Sequence, residues 1–419
     1  MGARKANKSG RKQARTSPTP PVAGRSRGSL AEVFGAFTKL GFTSFGGPVA
    51  HLGYFRDEFV VRRKWLDEHA YADLVALCQF LPGPASSQVG IALGLMRAGL
   101  AGALAAWVAF TLPSAIALVL FAYGVGALGD AAGAGWLHGL KVAAVAVVAQ
   151  AVLGMMQSLA PDRERATLAV VAAAVVIAIP SALGQIGAIV LGGIVGITLL
   201  RGSAGASNGA LPIRVSHTVA TAALVLFFAL LIVLPIAAGA VGNQALTYFD
   251  SFYRAGSLVF GGGHVVLPLL QAEVVPPGWM TNDDFLAGYG AAQAVPGPLF
   301  TFAAYLGAVM GPAPNGWMGA AICLVAIFLP SFLLIVGALP FWQELRVRPD
   351  AQAALRGVNA AVVGLLLAAL YDPVWTAGIK SGADFALGAA AFLLLYIWKT
   401  PPWLVVALCA LGGAALAAV

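Results

Sequence analysis

Phe45-Gly46-Gly47-Pro48 followed by Pro82-Gly83-Pro84, and again Phe260-Gly261-Gly262-Gly263 followed by Pro296-Gly297-Pro298, interrupt apolar stretches at matching places in the chain. Glycine permits close backbone approach and proline suits the first position of a new helix, so a helix is expected to restart at each break. Broken helices at corresponding positions of two halves point to a binding site at the breaks.

The correspondence extends outward from these stretches. Gly41 to Gly47 falls on Gly256 to Gly262, while Trp65 and Gln79 fall on Trp279 and Gln293. Phe110 to Ser114 (FTLPS) matches Ile327 to Ser331 (IFLPS), and Leu137 to Lys141 matches Leu355 to Asn359. The order is kept along most of each half, which marks an internal duplication.

Of 419 residues, 59% are hydrophobic and 10% charged, with mean hydropathy +0.85, so most of the chain belongs in lipid. The chain reads as an all-α polytopic membrane protein. Its net charge of +8 comes from residues 1–28, whose eight bases and no acid account for the excess of 25 bases over 17 acids. That tail, rich in Ser, Pro and Gly and without an apolar core, reads as a disordered cytoplasmic extension rather than a signal peptide. Its charge fits a topology signal or contact with anionic lipid, and nucleic acid is not an expected partner. Cys78, Cys323 and Cys409 lack metal or disulfide spacing and read as packing residues.

Loop charges orient the halves, because cytoplasmic loops collect Lys and Arg. Residues 56–64 carry Arg56, Arg62, Arg63 and Lys64, whereas the counterpart Gln271 to Gly278 carries no base. The bias reverses one stage later: 126–136 has no base, and 343–356 has Arg346, Arg348 and Arg356. Arg163 and Arg165 then stand opposite a segment with Asp372, Asp384 and only Lys380. The expected organisation is a tail at 1–28, a first membrane repeat at 29–201, a loop and connector helix at 202–244, and a second, inverted repeat at 245–419. Full spans are expected near 100–127, 135–158, 166–180, 183–200, 217–240, 315–340, 351–371, 383–398 and 402–418, with the N-terminus inside. Segments 29–62, 67–97, 245–277 and 282–312 are expected to be re-entrant helical hairpins, each leg being shorter than the roughly 20 residues of a span. Tilted full spans in these places would leave the inversion intact.

Non-helical backbone at membrane depth is tolerated only inside protein or against a water-filled cavity. Restarting helices at the breaks aim free amides and positive dipole ends at one another, which suits an anion. The candidate binding residues are Ser44, Gly46, Gly47, Pro82, Gly83, Pro84 and Ser86 in the first half, and Gly261, Gly262, Pro296, Gly297 and Pro298 in the second. Gln79 and Gln293, three residues before each Pro-Gly-Pro, are placed to donate to an oxyanion, and Ser87 and Thr301 either do the same or cap freed backbone. Lys39 and Arg254 occupy equivalent positions; each faces a dianion in a cavity, snorkels, or pairs with an acid such as Glu32 or Asp250. His51, His264, Glu58 and Glu273 are candidates for coupling to a proton, the alternatives being packed histidines and interfacial carboxylates paired with bases. Lys141 either attracts anions or snorkels. No P-loop, Gly-x-Ser-x-Gly or His-Glu-x-x-His occurs, which argues against ATP hydrolysis, a metal, a cofactor or an intramembrane enzyme and leaves ion gradients or the membrane potential as the drive.

At these residues the chain resembles the chromate ion transporter family, whose long members are two fused homologous domains. The resemblance rests on Gly41-Phe-Thr-Ser-Phe-Gly-Gly-Pro48 with His51, Gln79-Phe-Leu-Pro-Gly-Pro84, Phe260-Gly-Gly-Gly-His264 and Gln293-Ala-Val-Pro-Gly-Pro298, and covers about 30–400. It implies export of chromate across a bacterial inner membrane and chromate resistance, with sulfate as the related oxyanion. The expectation is a secondary transporter in which one repeat rocks or slides against the other, using a proton or counter-anion; an anion channel and a sulfate transporter are the alternatives, and a homodimer is a candidate assembly.

Overall fold

A computed structural model describes residues 28–128, 134–201 and 215–418, and every regular element among them is helical. The expected disordered tail, apart from its last residue, and the loop at 202–214 lie outside the described residues. In the first half the helices are α1 (Leu30–Thr43), α2 (Gly47–Arg56, continued as a π-helix over Asp57–Arg62), α3 (Glu68–Phe80), α4 (Ala85–Leu128), α5 (Ala134–Leu159), α6 (Arg163–Ala178) and α7 (Ala182–Leu199). The connector α8 (His217–Val241) leads to α9 (Gln244–Leu258), α10 (Val266–Val274), α11 (Asn282–Ala292), α12 (Phe302–Val309) and α13 (Gly316–Ala338). The chain ends with α14 (Trp342–Leu345), α15 (Pro349–Ala369), α16 (Thr376–Gly378), α17 (Gly382–Tyr396) and α18 (Pro402–Ala417).

Each expected hairpin is a pair of short helices around its break: α1 with α2, α3 with the start of α4, α9 with α10, and α11 with α12. Ala98 and Gly99 leave helical geometry inside α4, so its first leg turns there into a span. Gly94 meets the Gly102 backbone at that turn, and Gly307 meets Gly319 at the corresponding turn from α12 to α13. A side chain at any of these glycines would push the two segments apart. The duplication therefore holds in local geometry as well as in sequence.

Each of the nine expected spans has its helix, and six helices among the described residues are long and apolar enough to cross a membrane by themselves. The shorter ones are α6, α17 and α18, of 16, 15 and 16 residues. At 1.5 Å per residue these reach about 24 Å, short of a hydrocarbon core of about 30 Å. Trp398, Lys399 and Trp403 flank the turn between α17 and α18, residue types that sit at the interface and let the bilayer thin locally.

The helix directions show the inversion. Gly135 and Gly139 near the start of α5 pack against the end of α18, at Ala417 and Cys409, so these helices are antiparallel. Within the first half, the three-residue turns after α5 and α6 reverse the chain twice, so α7 runs parallel to α5. The counterpart of α7, α18, thus runs opposite to it. The same follows for α15, the counterpart of α5: Gly192 of α7 lies on Gly357 and Ala361, while Gly196 lies on Ala353, which makes that pair antiparallel too.

These contacts also interleave the halves. One bundle is formed by α5, α6, α7, α15, α17 and α18, with α5 on α18 and α15 on both α6 and α7. The other contains α1, α4, α8, α9, α12 and α13, with α13 touching α4, α8, α9 and α12. Both bundles hold helices from both repeats. Glycine-mediated backbone contacts thus tie the two repeats together within each bundle.

Candidate functional site

The breaks of the two repeats are exchanged. Gly83 N–H, in the second break of the first repeat, donates to the Val259 carbonyl at the first break of the second repeat (2.7 Å). Reciprocally, Gly297 N–H donates to the Ser44 carbonyl (2.8 Å). The first breaks also touch each other, since a Cβ on Gly263 would lie 3.0 Å from Pro48 Cγ and one on Gly47 would lie 3.9 Å from His264 Nε2. Gly46, Gly47, Pro82, Gly83, Pro84, Gly261, Gly262, Pro296, Gly297 and Pro298, the predicted break residues, thus form one junction.

The junction has closed and open parts. A Cβ on Gly83 would come 2.8 Å from Ser331 Oγ and 2.6 Å from Gln88 Nε2; one on Gly297 would come 2.8 Å from Ser114 Oγ. The Pro-Gly-Pro breaks are therefore wedges packed against the opposite repeat. The tips are roomier, for a Cβ on Gly262 would meet nothing within 4 Å, and one on Gly46 would meet only Ala50 of its own helix. Gly46 and Gly47 both have positive φ, 96° and 77°, the backbone region that favours glycine.

Helix starts at the junction lack the usual side-chain acceptor. Gly46 precedes α2, Gly262 precedes the 3-10 turn Gly263–Val265 leading to α10, and Pro298 precedes the 3-10 turn Leu299–Thr301 leading to α12; none supplies a side-chain cap. Their first amides carry the positive end of the helix dipole. Buried polar atoms lie nearby: Ser44 Oγ, Ser87 Oγ, Gln88 Oε1, Gln293 Nε2 and Ser331 Oγ have no partner among the described residues. Unsatisfied buried hydroxyls and amides are costly in a finished core and are expected where a ligand or water binds.

His51 is buried and links both breaks of its own repeat. Its Nε2 is 3.2 Å from the Ser44 carbonyl, which can only accept, so Nε2 carries the proton and Nδ1 accepts from Ser86 Oγ at 3.3 Å. The Ser44 carbonyl thereby receives both His51 and Gly297 of the opposite repeat. His264 differs: Nδ1 faces the Tyr289 hydroxyl at 2.9 Å, and Nε2 points at the Gly47 tip. Thr301 Oγ1 donates to the Pro298 carbonyl at 2.7 Å, the capping role given as its alternative.

Other predicted residues lie in ion pairs. Lys39 Nζ is 3.5 Å from Glu58 Oε2 and the lysine is half exposed, while Arg62 and Arg63 hold the same carboxylate. Arg254 makes the corresponding pair with Glu273 at 2.7 Å and a second with Asp250 at 3.2 Å. Each cation therefore has its counter-charge within its own hairpin, and Glu32 is held by Arg97 and Arg63 instead of Lys39. Gln79 is exposed on α3, whereas Gln293 is partly buried; the equivalence of the two glutamines in sequence is not kept in their surroundings. Lys141 neither snorkels freely nor stands alone, being paired with Asp283 at 3.0 Å. Among the described residues no cluster of His, Cys, Asp and Glu could hold a metal.

Ser114, Ser331 and Gln88 were not singled out by sequence reasoning. The signal for the serines was available in the match of FTLPS to IFLPS, which ends on both. Gln88 has no such mark; its Nε2 donates to the Pro82 carbonyl freed by the break, at 2.6 Å.

The sequence profile of the chromate transporter family matches residues 31–197 and 246–414, one match on each repeat. A chromate transport protein of Pseudomonas aeruginosa is 30% identical over 402 residues, covering 92% of this chain and 91% of its own. A probable chromate transport protein of Synechococcus elongatus is 28% identical over 402 residues, with 92% and 95% covered. A chromate transport protein of Cupriavidus metallidurans is 27% identical over 354 residues, with 82% of each covered. No solved structure matches the chain. With a profile match on both repeats and a relative similar over nearly the whole length, this protein belongs to the chromate transporter family.

Proposed function

We propose that the chain is a secondary transporter that exports chromate, with sulfate as a competing oxyanion, across a bacterial inner membrane by alternating access at the junction of the breaks. The observation that carries this reading is the reciprocal exchange, Gly83 with Val259 and Gly297 with Ser44, which gathers uncapped helix starts from both repeats around the open tips. A tetrahedral dianion fits that chemistry, since backbone amides and hydroxyls donate without adding a fixed charge that would hold it. Export also has a drive: each negative charge leaving an inside-negative cell gains about 2.3 kcal/mol per 100 mV. Binding at the tips, followed by movement of one mixed bundle against the other, exposes the ion to each face in turn. His51, whose ring bridges Ser44 and Ser86, is the residue through which a proton would be felt at the junction; Glu58 and Glu273 serve their hairpins as counter-charges to Lys39 and Arg254. In this reading the N-terminus is cytoplasmic, which the bases of residues 56–64 support.

The test is labelled chromate flux in inverted membrane vesicles, with and without an imposed potential or pH gradient, and with sulfate as competitor. Uptake that saturates and shows counterflow is expected. Flux that rises linearly with concentration and lacks counterflow would instead identify a channel, and absence of chromate flux would end the reading.

A further inference from the structure

Of the ion pairs that join the repeats, which include Arg201 with Asp350 and His138 with Asp384, two hold the corresponding legs α3 and α11. Asp73 of α3 receives Arg346, just before α15, with both carboxylate oxygens 3.2 Å from Nη1. Asp283 of α11 receives Lys141 of α5 at 3.0 Å. Since α11 corresponds to α3 and α5 to α15, each pair ties the leading leg of a second hairpin to the opposite repeat, Asp283 to the long helix α5 itself and Asp73 to the turn that enters α15. Neither pair is local, and nothing in the spacing of these residues suggests them.

The pairs lie at opposite faces. Asp73 is nine residues beyond the Arg56–Lys64 loop, and Arg346 stands with Arg348 and Arg356, so that pair is on the basic, cytoplasmic side. Asp283 follows the base-free segment Gln271 to Gly278, and Lys141 lies two turns into α5 after another base-free segment, which puts this pair toward the outer side. Their surroundings differ as well. Asp73 and Arg346 side chains are only 3% and 13% exposed, whereas Asp283 is 67% exposed. In both cases the leg held by the pair runs directly into a Pro-Gly-Pro wedge.

We propose that Asp73–Arg346 and Lys141–Asp283 are the inner and outer latches of the transport cycle, both closed in this structure and opened one at a time. A leg cannot leave the opposite repeat without parting its pair, and parting leaves a buried charge uncompensated unless water enters. Opening a face and hydrating its latch are therefore one event. Because Asp73 and Arg346 are the more buried, the inner latch is the harder to part, and it sets the resting preference of the carrier. This inference rests on the transport reading but is tested without chromate.

The experiment places a cysteine at Ser87, buried beside the Pro82-Gly83-Pro84 wedge, and measures its labelling by a membrane-impermeant thiol reagent in right-side-out and inside-out vesicles. Native Cys78, Cys323 and Cys409 are buried, so the unaltered chain supplies the blank. Asp73→Asn and Arg346→Gln should raise labelling from the cytoplasmic side by roughly five-fold or more and lower it from the other. Lys141→Gln and Asp283→Asn should do the reverse, and the exchange Asp73→Arg with Arg346→Asp should restore the wild-type pattern, which a loss of fold would not. If the inner variants fail to accumulate, the exposed outer pair decides: labelling must rise from the outer face alone. Labelling that rises equally from both faces, or does not change, overturns the proposal. Intact chromate flux with unchanged labelling removes the latches and keeps the transporter; altered labelling without chromate flux in the wild type removes the substrate and keeps the latches.

Discussion

The two legs of each hairpin begin differently. The legs that lead to the breaks are capped: Ser29 accepts from Glu32 N–H, Asp67 from Ala70, Asn243 from Leu246 and Thr281 from Asp284. The legs that resume after the breaks follow Gly46, Pro84, Gly262 and Pro298, none of which has a side chain able to accept. A cap contributes about 1 kcal/mol, so the chain forgoes this stabilisation where amides converge and takes it where they face the interface. Departures from local stability rules of this kind mark functional sites.

The comparison breaks most severely at the wedges. Gly83→Val and Gly297→Val place side chains on Ser331, Gln88 and Ser114 in a backbone region closed to valine, and a loss of about 3 kcal/mol or more is expected, seen as low accumulation of folded protein and no flux. Next come the cations. Arg254→Gln strands Glu273 and Asp250, both buried, and should cost about 3 kcal/mol in thermal unfolding in detergent, while Lys39→Gln leaves Glu58 with Arg62 and Arg63 and should cost under about 1 kcal/mol. Equal destabilisation by the two substitutions would contradict the pairing described. Removing a cap from a leading leg, by Thr281→Ala, should lower stability by about 1 kcal/mol and leave the chromate concentration for half-maximal flux unchanged. The smallest stability change belongs to Ser44→Ala and Ser87→Ala, whose hydroxyls have no partner among the described residues: stability within about 0.5 kcal/mol of wild type, but half-maximal flux shifted to about ten-fold higher chromate. An unshifted flux curve would take both hydroxyls out of the site.

The positions of the breaks, the duplication and the spans were readable because glycine, proline and loop charge act locally or through the bilayer. Lys39 with Glu58 was readable in principle as well, since Arg254 and Glu273 repeat both the signs and the 19-residue separation. Three things were out of reach. That each Pro-Gly-Pro wedge would seat on the opposite repeat depends on packing between segments some 180 to 250 residues apart in sequence. Gln79 and Gln293 match in sequence, yet α3 runs on through Phe80 while α11 stops at Ala292, and the first glutamine is exposed where the second is half-buried. Asp73 and Arg346 carry no mark at all, as a buried pair is defined by the approach of two elements.

The glycine contacts of α5 with α18 and of α7 with α15 make each repeat a structural part of the other. Either repeat alone would present glycine-lined helix faces whose backbone partners belong to its companion, so the bundle begun by α5, α6 and α7 is completed by α15, α17 and α18. The connector α8 supplies the orientation that this needs: one further helix between the repeats returns the second with its directions reversed, and the faces meet antiparallel.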